Sequence, residues 1–208
     1  MVEEVQAALR SVSSSEKAAS SARFFKSAPG QYAEGDKFIG VTVPEQRKIA
    51  KAFFRSILFK DMRRLLESPW HEERLTALFM MVMKFQKGND VTKRAVFDLY
   101  MEEIAHVNNW DLVDSSAPYI VGPWLDGNPY KMKVLTKLAH SETLWERRIA
   151  MLATFYYIHT RQHADEALAI IDILLHDEHD LIQKAVGWML REIGKRVDEQ
   201  ILIGFLDE

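Results

Sequence analysis

Apolar residues recur at helical spacing along almost the whole chain. Val96, Leu99, Tyr100, Ile104 and Val107 fall at i, i+3, i+4, i+8 and i+11, and Ala167, Leu168, Ile171, Leu174 and Leu175 draw a second stripe of the same kind. A helix turns once every 3.6 residues, so each stripe lines one face that must be covered by a neighbour. Alternating apolar and polar runs bounded by hairpin turns are missing, and the pattern predicts an all-α chain. Helix starts are marked at Ser68-Pro69, by a capping hydroxyl before a proline, and by capping-box spacing at Thr143 with Glu146, Thr42 with Glu45 and Ser13 with Glu16. Asp180 is expected to cap a helix beginning at Leu181. Turns are expected at Lys87 to Asp90 and Asp126 to Pro129, and Gly194 is expected to end a helix before Lys195-Arg196.

The helices repeat. HEERLTALFMMVMKF, NWDLVDSSAPYIVG, LWERRIAMLATFYYI and LIQKAVGWMLREIG look alike, and superimposing Arg74, Asp114, Arg148 and Lys184 gives spacings of 40, 34 and 36 residues. Periods of this size belong to solenoids of helix pairs, in which no pair buries its apolar face alone. The fold expected is therefore a superhelical solenoid of antiparallel helix pairs, a single domain over residues 1–208, with repeat-equivalent positions lining a concave face.

Composition narrows the class. The chain has no cysteine, which excludes a disulfide scaffold, thiol chemistry and cysteine-ligated metal, and agrees with a reducing cytoplasm. No stretch approaches the length of uncharged apolar chain that spans a membrane, and the acidic, amphipathic N-terminus is unlike a signal peptide. The formal charge of −3 disfavours a generic nucleic-acid binder. Distribution answers this objection, since Arg147, Arg148, Lys184, Arg191, Lys195 and Arg196 fall on the repeat-equivalent helices while acids gather elsewhere. A solenoid basic on its concave face and acidic outside attracts a polyanion despite a negative total.

Three tryptophans lie beside these repeated polar positions. Trp110 and Asp114 are four apart, Trp145 and Arg148 three apart, and Lys184, Trp188 and Arg191 follow i, i+4, i+7, so each set shares a helix face. Taken singly, a tryptophan at helical spacing is more often core than ligand, and a lone aspartate more often a cap. Their recurrence at the repeat period shifts the balance. Aromatic plates, fixed cations and one carboxylate suit a polyanion that carries a cationic reacting group. Other candidates fail: Gly30 to Phe38 resembles a phosphate loop but has Asp36 where a lysine is needed. His176, Asp177, His179 and Asp180 read as a polar junction rather than a metal site, and Ser115-Ser116 has no histidine base nearby.

NNWDLVDSSAPYIVG (Asn108 to Gly122), LWERRIAMLATFYYI (Leu144 to Ile158), LIQKAVGWMLREIGK (Leu181 to Lys195) and FFKSAPGQYAEGDKFIGVTVPEQRKIAK (Phe24 to Lys51) resemble, in the right order, the AlkD family of alkylpurine DNA glycosylases. The resemblance implies HEAT-like repeats that wrap duplex DNA, no metal and no cofactor, and excision of the lesion while it is still stacked. It assigns Asp114 as the catalytic aspartate, Trp110 and Trp188 as active-site tryptophans and Arg148 as the arginine on the DNA backbone. Arg147, Lys184, Arg191 and Trp145 join the DNA-contacting set by position. Phe24 and Thr42 depart from a tyrosine and a glutamine in founding members, which leaves the N-terminal contacts and lesion preference open. Relatives usually continue beyond EQILIGFLDE, so capping helices over Ile201, Ile203 and Phe205 are expected to be missing. The partner expected is double-stranded DNA bearing cationic N3- or N7-alkylated purines, bound by a cytoplasmic monomer. A non-catalytic binder of branched or damaged DNA and a protein-interaction scaffold stay open as alternatives.

Overall fold

The structure, a computed structural model, describes residues 1–207. Among them the chain is all-α, as the periodicity predicts; the sole extended pairing is an isolated parallel bridge between Lys37 and Trp70. No helix among these residues is long and apolar enough to cross a membrane. Contacts gather into two compact units, Met1–Ser116 and Ala117–Glu208.

The first unit holds α1 (Val2–Ser11), α2 (Ser15–Phe24), α3 (Val43–Phe53), α4 (Phe59–Leu66), α5 (His71–Lys87), α6 (Asp90–Glu102) and the single turn α7 (Trp110–Asp114). Within it α5 packs against both α3 and α7, while α4 and α6 touch each other and both flank α5. The second unit holds α8 (Ala117–Leu125), α9 (Lys131–Ala139), α10 (Leu144–Ala153), α11 (Asp165–Leu174), α12 (Asp180–Arg196) and α13 (Glu199–Leu206). There α8, α10 and α12 pack in succession, and α9 and α11 form a second row against them. Every second helix thus occupies the same row, which is the layering a helix-pair repeat requires. The four similar sequence stretches fall on α5, on α7 with α8, on α10 and on α12.

Helix α5 is the centre of the first unit. Every residue from His71 to Met81 is buried, including the charged first turn His71-Glu72-Glu73-Arg74. Buried charge is tolerated only when paired or hydrogen-bonded, and here the partners come from the N-terminal third of the chain. The Glu72 carboxylate accepts the backbone N–H groups of Ile39, Gly40 and Val41 at 2.9, 2.7 and 3.3 Å. Glu73 accepts from Gln6, Arg10 and Ser68, tying down α1. Both acids also sit at a helix N-terminus, where the backbone dipole favours negative charge. Gly40 has φ +84, and a Cβ there would stand 2.0 Å from the Ser14 carbonyl oxygen, so only glycine fits where this loop passes the start of α2.

Helix ends differ from the sequence reading in register. Ser14, not Ser13, caps α2 by accepting from the Lys17 N–H. Thr42 and Thr143 occupy the cap positions of α3 and α10 but make no capping bond. The ring Nδ1 of His179, rather than Asp180, takes the Leu181 N–H at the start of α12. Ser68 lies before the cap of α5, where its hydroxyl accepts from the Trp70 N–H and donates to Glu73. Gly194 does not end its helix, since α12 runs on to Arg196. A Cβ at Gly194 would meet Leu202 at 2.7 Å, so this glycine serves the close approach of α13.

The Glu72 staple gives a direct test. Glu72→Ala would strand three buried N–H groups and is expected to lower unfolding free energy by roughly 3 kcal/mol or more. Urea unfolding checks this, with the exposed Glu67→Ala as a control that stays near wild type.

Candidate functional site

The candidate site of the first unit is built on α7. A five-residue helix has no stability of its own, because a single turn fixes several residues for one or two hydrogen bonds. Its orientation must come from its anchors. Asn109, fully buried, accepts the Trp110 N–H at 2.8 Å and donates its side-chain amide to Asp36 at 3.2 Å. Asp111 holds the Leu112 N–H with one oxygen and meets His71 Nε2 with the other at 2.8 Å. At the far end Ser116 donates to the Leu112 carbonyl at 2.6 Å and lies 3.0 Å from the Tyr100 hydroxyl. The residues on either side of Trp110 are thus fixed to one buried pair, Asp36 and His71.

That pair belongs to a larger cluster. His71 Nδ1 lies 3.1 Å from Asp36, and Arg74 donates to the other Asp36 oxygen at 2.5 Å. Asp36 reaches this place because the bridge between Lys37 and Trp70 lays its loop alongside the start of α5: Lys37 N–H donates to Pro69 O, and His71 N–H donates to Lys37 O. Burial opposes charge on His71, but the charge and hydrogen bond of Asp111 and the bond from Asp36 prevail, and its pKa is pushed up to about 9. Burial would also push the Asp36 carboxyl up, yet the His71 hydrogen bond and the Arg74 charge hold it below the usual carboxylate range.

Aromatic rings close over this cluster. Phe25 and Phe38 lie 4.8 and 4.9 Å from the His71 ring, and Phe25 stacks on Trp110 at 5.3 Å. Phe24, largely exposed, meets the Trp110 edge at 5.9 Å. Trp110 is half-buried, with one side fixed by protein. Asp114, also half-buried, closes α7; burial pushes the Tyr100 hydroxyl up and the Asp114 charge adds to the effect. The structure therefore brings Trp110 and Asp114 onto one anchored turn, as their spacing predicts.

In the second unit Trp188 is half-buried against Phe155, which in turn stacks on His159. The carboxyl of Glu192 is held below its usual range, first by the Arg196 hydrogen bond and also by one from Trp188. Arg148 is buried and donates to the Leu181 carbonyl, joining α10 to α12. Trp145 is buried as well. Arg147 forms an ion pair with Asp177 at 2.6 Å and donates to the carbonyls of Ser141 and Glu142, so a phosphate would have to compete with these partners. Lys184 and Arg191 are exposed, with Asp180 at 2.8 Å and Glu192 at 3.8 Å respectively. The polar junction at 176–180 is engaged in capping and pairing, and no group of three or more His, Asp or Glu side chains among the described residues is arranged to hold a metal ion.

Sequence reasoning missed His71, Asp36 and Asp111. Asp36 registered only as the residue that spoils a phosphate loop. The repeat pattern puts Arg74 among the positions expected to line the concave face, whereas it is buried beneath the site. A usable signal existed in a histidine opening an otherwise apolar buried helix, since such a group needs acidic partners elsewhere in the chain.

Taken together, the first unit presents an aromatic plate and a carboxylate on one rigid turn of an all-α repeat scaffold. The sequence profile of DNA alkylation repair enzymes matches residues 5–208, nearly the whole chain, and the protein belongs to that family. Among solved structures, the "predicted DNA alkylation repair enzyme" of Enterococcus faecalis is similar with a TM-score of 0.69 at 18% identity, over 94% of this chain and 89% of that one. At this identity the likeness is one of fold. No curated protein matches the chain.

The His71 cluster fixes a pH dependence. A histidine whose folded pKa is raised from 6.5 to about 9 binds its proton more tightly in the native state, so its contribution is complete below 6.5 and lost as pH rises through 9. Unfolding free energy is expected to fall by roughly 3 kcal/mol across that window. Denaturant titrations of wild type and His71→Gln at stepped pH check this; the variant loses the slope.

Proposed function

We propose that the protein is a monofunctional DNA glycosylase acting on cationic N3- or N7-alkylated purines in duplex DNA. Alkylation places a positive charge on the purine, so the base leaves as a neutral molecule with the electron pair of the glycosidic bond, and no general acid is needed. What remains is to stabilise the cationic sugar and to direct a water to C1′. In this reading Asp114 performs both tasks, accepting a proton from the water as it adds. Trp110 lends an electron-rich face to the cationic nucleotide, an attraction of about 0.5–2 kcal/mol.

The observation that carries the proposal is the anchored turn Asn109 to Asp114 in a member of the DNA alkylation repair family. Burial of its neighbours holds the carboxylate and the indole before substrate arrives, and such preorganisation is what charge stabilisation in a transition state requires. Trp188 is assigned a second aromatic contact, and Arg148 a phosphate contact, its guanidinium already oriented by the Leu181 carbonyl. Lys184 and Arg191 are the exposed cations of the set and supply the electrostatic attraction for the DNA backbone. The lesion is removed without flipping, and no cofactor takes part.

Incubation with a duplex carrying one 7-methylguanine, followed by alkaline cleavage at the abasic site, tests the proposal. Wild type is expected to give strand scission, and Asp114→Asn to lose it by about 100-fold or more while DNA affinity stays near wild type. Scission by the variant at the wild-type rate would refute the role of Asp114. Salt-sensitive DNA binding without scission by wild type would identify a non-catalytic binder.

A further inference from the structure

The geometry points to His71 as a positioning residue: as an imidazolium bonded at both ring nitrogens, to Asp36 and to Asp111, it fixes the turn that carries Trp110 and Asp114. The inference rests on the glycosylase reading for its catalytic consequence, but the clamp itself is a property of the first unit alone.

Three observations support it. The first is topological, since the residues immediately before and after Trp110 both end in this pair, Asn109 on Asp36 and Asp111 on His71. A turn held by the side chains on either side of the indole cannot rotate without breaking one of those bonds. The second is the donor count. Both acceptors are carboxylates, and a neutral imidazole has a single N–H, so loss of the proton leaves one carboxylate facing a lone pair. The third is charge. Asp36, Asp111, His71 and Arg74 are the charged groups that meet here, with side chains 5%, 11%, 2% and 4% exposed. With His71 protonated the four sum to zero; with it neutral a net negative charge is left buried beneath Phe25 and Phe38, which both pack against the imidazole. The elevated pKa of His71 agrees with this balance.

Deprotonation or replacement of His71 therefore frees the start of α7. Misplacing a reacting group by about 1 Å costs on the order of 100-fold in rate, while contacts to phosphates remote from it are untouched. The loss should fall on the chemical step rather than on DNA binding. A residue that merely stabilised the fold would move both together.

The test uses the full chain. In 15N-histidine-labelled wild type, both ring nitrogens of His71 are expected to carry protons at pH 7.5 and to titrate near pH 9; a single protonated nitrogen at neutral pH would overturn the clamp, whatever the activity. This measurement needs no variant and so survives if His71→Gln fails to fold. In folded His71→Gln, 19F NMR of 5-fluorotryptophan at position 110 should shift or broaden. The single-turnover excision rate should fall by about 100-fold, with the Kd for duplex DNA within about threefold. An unmoved fluorine resonance and a wild-type excision rate would overturn the positioning role. If wild type excises nothing, the glycosylase reading fails, and the nitrogen and fluorine spectra still decide whether His71 holds the turn.

Discussion

Burying four consecutive ionisable side chains in one helical turn is tolerable only where every one of them finds a partner, and the first turn of α5 sets this demand on the whole N-terminal unit. His71, Glu72, Glu73 and Arg74 are all buried and between them reach the N-terminal helix, two loops and α7. Glu72 captures the backbone of Ile39 to Val41, Glu73 secures α1, Arg74 and His71 draw in the loop at Asp36, and His71 also takes Asp111 of α7. Replacing such groups by apolar ones of equal size can be neutral or stabilising, whereas removing one partner leaves a buried charge unmet. The cluster thus acts chiefly as a specificity device, in that it determines which loop meets which helix and in what register. The aromatic layer of Phe25, Phe38 and Trp110 settles on top of it.

Much of the fold was legible in the sequence because helical periodicity and repeat spacing are local signals. The stripe on α6 from Val96 to Tyr100 is buried as its spacing demands, and the turns at Lys87 to Asp90 and Asp126 to Pro129 fall between helices. Caps slipped by one position at Ser14 and His179, because capping boxes tolerate a shift in which adjacent polar residue turns inward. Gly194 reads as a stop from composition alone; its true reason is a contact with Leu202, eight residues on, which no local pattern reveals.

The site was legible in part. Trp110 and Asp114 share a turn, as four-residue spacing implies. What holds the turn was hidden, since Asp36, His71 and Asp111 are 35 and 40 residues apart and meet only in the folded chain. Charge counting along the sequence also overstated the availability of cations, because a solvated arginine and one committed to a carboxylate look alike there. Arg147 at Asp177 shows the difference. The proposed glycosylase reaction asks little of a protein beyond a well-placed carboxylate, so its demanding part is positional, and positional devices are built from distant residues.

The most direct measurement is a crystal structure of the protein with duplex DNA containing a 7-methylguanine nucleotide fluorinated at the 2′ carbon, which slows departure of the base. If Asp114 stabilises the sugar cation and directs water, its carboxylate lies beside C1′ of that nucleotide, with a water between them or an oxygen at about 3.5 Å. The bonds from Asn109 to Asp36 and from His71 to Asp111 are expected to persist in that complex. A lesion sugar seated away from Asp114, with the carboxylate turned toward protein, would contradict the assignment of catalysis to this turn.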